Sequence, residues 1–207
     1  MMFETKYWMI AILIVLVCCP VYTYSQTVSQ QNQSQNILSD ADIADPNNWI
    51  ARGGKWEFSE RIIDFQGFTG CGKVYYAEED FTDCQIEVKQ MKLAEDGTFG
   101  LMLRYDELKD TGYSFMVWPH GGYMFLRFES DNHVHLIDGL TIYLNDGLNA
   151  WNTLRIECEG TLFHLYVNGY FIQTISDSTY SKGKVGLMAC GDYRQLAKFE
   201  FISIQER

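Results

Sequence analysis

Between Ile43 and Ile204 the apolar residues come in short runs that alternate with polar ones, and Gly, Asn or Asp interrupts them every eight to twelve residues. A period of two buries one side of an extended strand, and no segment carries the 3.6-residue period of a helix. The pattern therefore predicts an all-β antiparallel sandwich. Its span of about 160 residues suits one domain with a single sizeable core.

What precedes that region reads differently. Residues 1–25 carry Lys6, an apolar run from Trp8 to Cys19, Pro20 and a small polar end at Thr23-Tyr24-Ser25. The run is too short to span a bilayer comfortably and has the layout of a signal peptide cleaved before Gln26. A rival reading takes Leu16-Val17-Cys18-Cys19 as a lipobox with lipid on Cys19, and another leaves the segment uncleaved as an anchor. Residues 26–42, rich in Gln, Asn and Ser, read as a flexible polar linker to a domain over 43–207. The expected location is extracytoplasmic, either secreted or on the cell envelope.

With 27 acidic against 16 basic residues the formal charge is −11, and no basic stripe exists to follow a phosphate backbone, which argues against nucleic acid. Export leaves Cys71, Cys84, Cys158 and Cys190 facing an oxidising compartment. Two bridges in any of three connectivities, or free thiols at the apolar positions Cys84 and Cys158, both fit. The absence of a CxxC pair argues against a zinc knuckle or a thioredoxin-type site.

The middle of the chain permits a register. If 113–118 and 123–128 form a hairpin with Trp118 opposite Tyr123, Tyr113, Phe115, Val117, Met124, Leu126 and Phe128 share one wholly apolar face. Extending the register adds Leu101, Leu103, Tyr105, Val134 and Leu136 to that core. The other face then carries Arg104, Trp118, Tyr123, Phe125, Arg127 and His135, rings mixed with cationic and polar groups. Such a surface marks a binding site, and rings beside hydrogen-bonding groups suit a sugar. A loop, 138–150, folded over these residues is the alternative. Further along, Leu154, Ile156 and Cys158, then Phe163, Leu165 and Val167, then Tyr170, Ile172 and Thr174 read as inward positions, with Asn168-Gly169 as a primed two-residue turn.

Several phrases in this stretch resemble a known group. They are Trp151-Asn152-Thr153-Leu154-Arg155-Ile156, Leu165-Tyr166-Val167-Asn168-Gly169, Gly183-Lys184-Val185-Gly186-Leu187 and Phe99-Gly100-Leu101-Met102-Leu103-Arg104-Tyr105. Together they are similar to the concanavalin A-like, laminin-G-like jelly-roll domains of bacterial exported proteins, bordering the 3-keto-disaccharide hydrolase domain family. The resemblance covers about 47–204 and implies a two-sheet antiparallel jelly-roll sandwich with a curved concave sheet. Members of this broad fold often bind glycans and sometimes hold a structural calcium.

The chemistry readable from residues is sparse. The E-x-D-x-x-E phrase of this fold's glucanases is absent, and Glu78-Glu79-Asp80 with Asp83 is an acidic turn rather than a carboxylate pair across a scissile bond. His133-x-His135 lacks a third metal ligand. Asp106, Glu107 and Asp110 could offer oxygens to calcium, although such residues are ordinary turn formers. No catalytic residue, resident metal or other cofactor is expected. Three functions remain: a non-catalytic module that binds carbohydrate by aromatic stacking, a sugar-cleaving enzyme of the 3-keto-disaccharide hydrolase type, and an assembly domain that meets another extracellular protein.

Overall fold

The alternating runs become fourteen strands in a computed structural model that describes residues 38–207 apart from Phe68, Glu95, Asp96, Pro119, Asp131, Asp192 and Tyr193. The predicted signal segment and residues 26–37 of the predicted linker lie outside the described residues. The rest of that linker belongs to the domain. Ser39 caps a short helix, Asp40–Ala44, through a reciprocal pair with Asp42: the Ser39 hydroxyl accepts from the Asp42 N–H and the Asp42 carboxylate accepts from the Ser39 N–H. The Leu38 N–H donates to the Ile204 carbonyl, and Ile43 is buried. No helix among the described residues is long and apolar enough to cross a membrane.

In chain order the strands are β1 (Trp49–Arg52), β2 (Lys55–Ser59), β3 (Ile62–Gly67), β4 (Gly70–Tyr76), β5 (Cys84–Lys92), β6 (Thr98–Asp106), β7 (Thr111–Trp118), β8 (Gly122–Glu129), β9 (Asn132–Leu140), β10 (Trp151–Glu159), β11 (Leu162–Val167), β12 (Tyr170–Ser176), β13 (Lys184–Gly191) and β14 (Gln195–Glu206). A front sheet runs β1-β4-β13-β6-β7-β8-β9 and a back sheet β12-β11-β10-β5-β14-β3-β2. Every pairing between these strands is antiparallel, and β13 and β14 insert between strands distant in sequence, as a jelly roll requires.

The main core fills the space between the sheets. Leu101, Leu103, Phe115 and Val185 from the front meet Ile86, Ile156, Phe163 and Leu165 from the back. Leu154 and Cys158 are inward as expected, and Asn168 (φ 51°) with Gly169 (φ 81°) makes the expected primed turn. Two expectations in this region fail. A register shift between Leu165 and Tyr166 leaves Ile172 without a direct partner and sets Thr174 opposite His164 on the outer side, so Thr174 is exposed, and Tyr170, opposite Val167 at the start of this edge strand, is exposed as well.

The four cysteines among the described residues resolve into one bridge and two thiols. Cys71 and Cys190 are opposite neighbours on β4 and β13 and form a disulfide on the outer side of the front sheet. Cys84 and Cys158 oppose each other across β5 and β10 inside the core and are free. Burial, followed by the hydrogen bond with Cys84, pushes the Cys158 thiol well above its usual range, which keeps it inert.

Candidate functional site

The front sheet differs from the predicted register by one residue, and that changes which side chains it offers. Trp118 pairs with Gly122, so Val117 lies opposite Tyr123, Phe115 opposite Phe125 and Tyr113 opposite Arg127. Tyr123 and Phe125 therefore point between the sheets, 7% and 0% exposed. Phe125 packs on Phe163 of the back sheet at 5.0 Å between ring centres. They are core residues, not ligand platforms. Met124, Leu126 and Phe128, expected inside, face outward instead.

Arg104 and Arg127 are also turned inward. β6 shifts register between Leu103 and Asp106, and Arg104 takes a left-handed conformation (φ 49°), which sends its side chain inside and Tyr105 outside. The whole residue is 2% exposed. Its guanidinium donates to the carbonyls of Thr82, Gly160 and Tyr180 and lies over the Phe163 ring. Arg127 is half-buried and donates to Asp177 Oδ2 and Thr179 Oγ1, both at 2.7 Å. Burial raises the Asp177 carboxyl, but hydrogen bonds from Tyr113 and Thr179 and the Arg127 charge outweigh it, and the net shift is downward. These cations hold loops and are not ligand donors.

Trp118 and His135 do lie on the outer side. The Trp118 ring covers Gly122 so closely that a Cβ there would sit 1.9 Å from a ring carbon, so only glycine admits this half-buried indole. His135 is exposed on β9, its Nδ1 3.1 Å from Asp138 Oδ1. Of the residues that the sequence brought together, these two alone remain on the outer face.

That face carries a second, smaller apolar cluster in which Tyr75, Tyr105 and Phe128 lie beside methionines from β6, β7 and β13. A polar group rests on it. Lys73 lies over the Phe128 ring at 4.9 Å and the Tyr105 ring at 5.7 Å, and pairs with Asp110. The Tyr105 hydroxyl donates to the same Asp110 oxygen at 2.9 Å, and Arg52 Nε donates to Tyr75 Oη at 3.4 Å. The hydrogen bond to Tyr75 is the main influence raising the Arg52 guanidinium, and the Glu107 charge adds to it. Burial pushes the Asp110 carboxyl up, yet the hydrogen bonds from Lys73 and Tyr105 and the charges of Lys73 and Arg52 bring it below the usual range. Asp110 is thus held as a carboxylate.

These groups border a depression of about 360 Å³, walled by Arg52, Lys73, Tyr105, Glu107 and Asp110, within the size range of small-molecule sites. A second depression of about 590 Å³ opens on the other side of the β6–β7 turn, bounded by Lys109, Glu129, Thr179, Tyr180 and Lys182. Asp106 is engaged within its own turn: its Oδ1 accepts the N–H groups of Leu108 and Lys109, and Oδ2 pairs with Lys109 Nζ. Among the described residues no three His, Cys, Asp or Glu side chains gather as metal ligands.

Sequence reasoning missed Arg52, Lys73 and Tyr75. The available signal was the single charge inside the otherwise apolar strand Gly72-Lys73-Val74-Tyr75-Tyr76, since a lysine there needs a partner such as Asp110.

No protein-family model and no curated protein matches the chain. Solved structures do share its fold. The carbohydrate binding module CBM66 from Bacillus subtilis superimposes with a TM-score of 0.68 at 22% identity, over 77% of this chain and 96% of that one. A galectin-like protein of unknown function from Bacillus subtilis gives 0.64 at 12% identity, over 82% and 96%. A Bacillus licheniformis β-glucanase gives 0.61 at 11% identity, over 79% and 94%. The fold is a concanavalin A-like jelly roll, as the sequence resemblance implied.

Proposed function

We propose that the protein is an exported, non-catalytic module that binds carbohydrate on the outer face of the front sheet. The observation that carries this reading is the group formed by Lys73, Asp110, Tyr105, Arg52 and Glu107 around the 360 Å³ depression. It supplies donors and acceptors side by side, which a ring of hydroxyls requires, and its charged groups are fixed in advance by one another. Trp118 lies on the same face. From β4, which carries Lys73, to β7 is three strand spacings, about 14 Å. A sugar chain crossing the sheet would meet the polar group at one end and the indole near the other.

The likeness to a carbohydrate binding module supports this reading, and the Cys71–Cys190 bridge supports export, because such bonds persist in oxidising compartments. The glucanase likeness supports only the shared fold. A glycosidase needs a carboxylic acid that keeps its proton at working pH. Asp110 is held ionised by Lys73 and Tyr105 and lacks that property.

The test is affinity electrophoresis and calorimetry against neutral polysaccharides of glucose, mannose, galactose and fructose. Asp110→Asn and Arg52→Ala should each weaken binding by roughly tenfold or more, the worth of one charge-assisted hydrogen bond, with the melting temperature checked in parallel. Asparagine tolerates the left-handed backbone of Asp110 (φ 53°), so this variant isolates the charge. Trp118→Ala reports separately on stacking. Binding unchanged in both polar variants, or release of sugar from any polymer, would overturn the proposal.

A further inference from the structure

Glu107 stands in the wall between the two depressions and lines both. Its Oε2 is closed off from solvent and has no hydrogen-bond partner. The neighbouring aspartates are all engaged: Asp110 by Lys73 and Tyr105, Asp106 by Lys109, and Asp80 by Lys184 at 3.0 Å. A carboxylate oxygen without a donor is costly to keep, so a group arriving from either depression that supplies one gains the energy of that missing bond. Glu107 sits on the β6–β7 turn, next to Leu108, which is 91% exposed, and borders both depressions from there.

The charge around it restricts what can arrive. Arg52, Lys73, Glu107 and Asp110 all line the first depression, and Lys73 and Asp110 are already paired with each other, so Arg52 and Glu107 are the charges left to meet a ligand. A sugar hydroxyl donates to Oε2 and accepts from the Arg52 guanidinium at once. A ligand carboxylate cannot donate to Oε2, so it would set a second unsatisfied negative charge against Glu107 while Lys73 stays paired with Asp110, on a chain of net charge −11.

We propose that Glu107 sets the ligand class of this face, accepting a hydroxyl from neutral sugars and rejecting uronic acids, with the two depressions serving as adjacent subsites on either side of it. This rests on the carbohydrate reading above and adds a selectivity that the reading alone does not contain. The experiment pairs the neutral polymer that binds best with the same polymer after its primary hydroxyls have been oxidised to carboxylates. Wild-type protein should prefer the neutral form by roughly tenfold or more, as like charges brought together at a binding face are strongly disfavoured. Glu107→Gln should reduce that preference to about threefold or less. Glu107→Asp, which keeps the charge but withdraws it by one methylene, should weaken neutral binding while the preference survives.

Equal wild-type binding of both polymers, or an unchanged preference in Glu107→Gln, overturns the assignment. If Glu107→Gln does not fold, Glu107→Asp and the ionic-strength dependence decide: a preference that added salt does not shrink is not electrostatic and overturns it equally. Neutral binding that is lost in Asp110→Asn but indifferent to Glu107 refutes this inference and leaves the carbohydrate reading standing. No binding to any neutral polymer refutes both.

Discussion

Replacing Arg104 with methionine should cost stability, and the structure sets the amount. The guanidinium makes four N–H···O bonds to three carbonyls: two to Thr82, one to Gly160 at 2.7 Å and one to Tyr180 at 2.9 Å. Methionine fills a similar volume over the Phe163 ring but donates nothing. Each orphaned carbonyl costs about 1–3 kcal/mol if it stays dry, or about 3–9 kcal/mol for three. Thr82 and Gly160 lie at exposed turns where water can replace part of the loss, which places the result in the lower half, about 3–5 kcal/mol. In urea, with an unfolding slope of about 2 kcal/mol/M, the midpoint should fall by roughly 1.5–2.5 M. A loss below about 1 kcal/mol would show that the three carbonyls do not depend on Arg104, and the account of this residue as a loop anchor would be wrong.

Phe125→Ala should destabilise by about 3–5 kcal/mol, as truncation of a fully buried aromatic does, without altering the association state; a change in association at unchanged stability would contradict its core position. Peptide mapping after alkylation of the denatured, unreduced protein should label Cys84 and Cys158 but not Cys71 or Cys190. Because that bridge spans 119 residues, Cys71→Ser with Cys190→Ser should lower stability by up to about 4–5 kcal/mol in the loop-entropy account, and a loss under about 1 kcal/mol would reject it. Acid sensitivity follows from the lowered carboxyl of Asp177: its stabilising share is complete above about pH 4 and fades as pH drops through the folded-state value, so Asp177→Asn should flatten the stability profile there. At the alkaline end Tyr113 is pushed up to about 12, by burial first and then by its hydrogen bond to Asp177. The stability it contributes is present below about pH 10 and lost towards 12, so a Tyr113→Phe protein should show a shallower alkaline decline in the same titration.

The fold was legible because most strands bury one face only. In Leu154-Arg155-Ile156-Glu157-Cys158 the parity of the apolar residues states which side is inside, and the structure agrees. The candidate site was not, because β8 has no such parity. Tyr123, Met124, Phe125 and Leu126 are all apolar, so alternation cannot choose the inward set, and the register then depends on the turn. His120 (φ 68°) and Gly121 (φ 80°) both adopt left-handed conformations and close the turn one residue earlier than a four-residue loop would. That single step sent Tyr123, Phe125 and Arg127 inside. The irregularity at Arg104 is equally silent in sequence, since nothing about Leu103-Arg104-Tyr105 announces two successive residues leaving the alternation. Arg52, Lys73 and Asp110 come together through pairing of β1 with β4 and a turn reaching over the sheet, contacts that local pattern does not encode.

Arg104 grips peptide oxygens and no side chain among its hydrogen-bond acceptors. Every amino acid offers that oxygen, so the side chains of Thr82 and Tyr180 are replaceable as far as these hydrogen bonds are concerned, and the Asp83 carboxylate, 3.6 Å from the guanidinium, adds charge without being one of the acceptors. The ends of three separate loops stay fastened while their surfaces drift, and a lineage could exchange rim residues for new partners without rebuilding the frame that presents them.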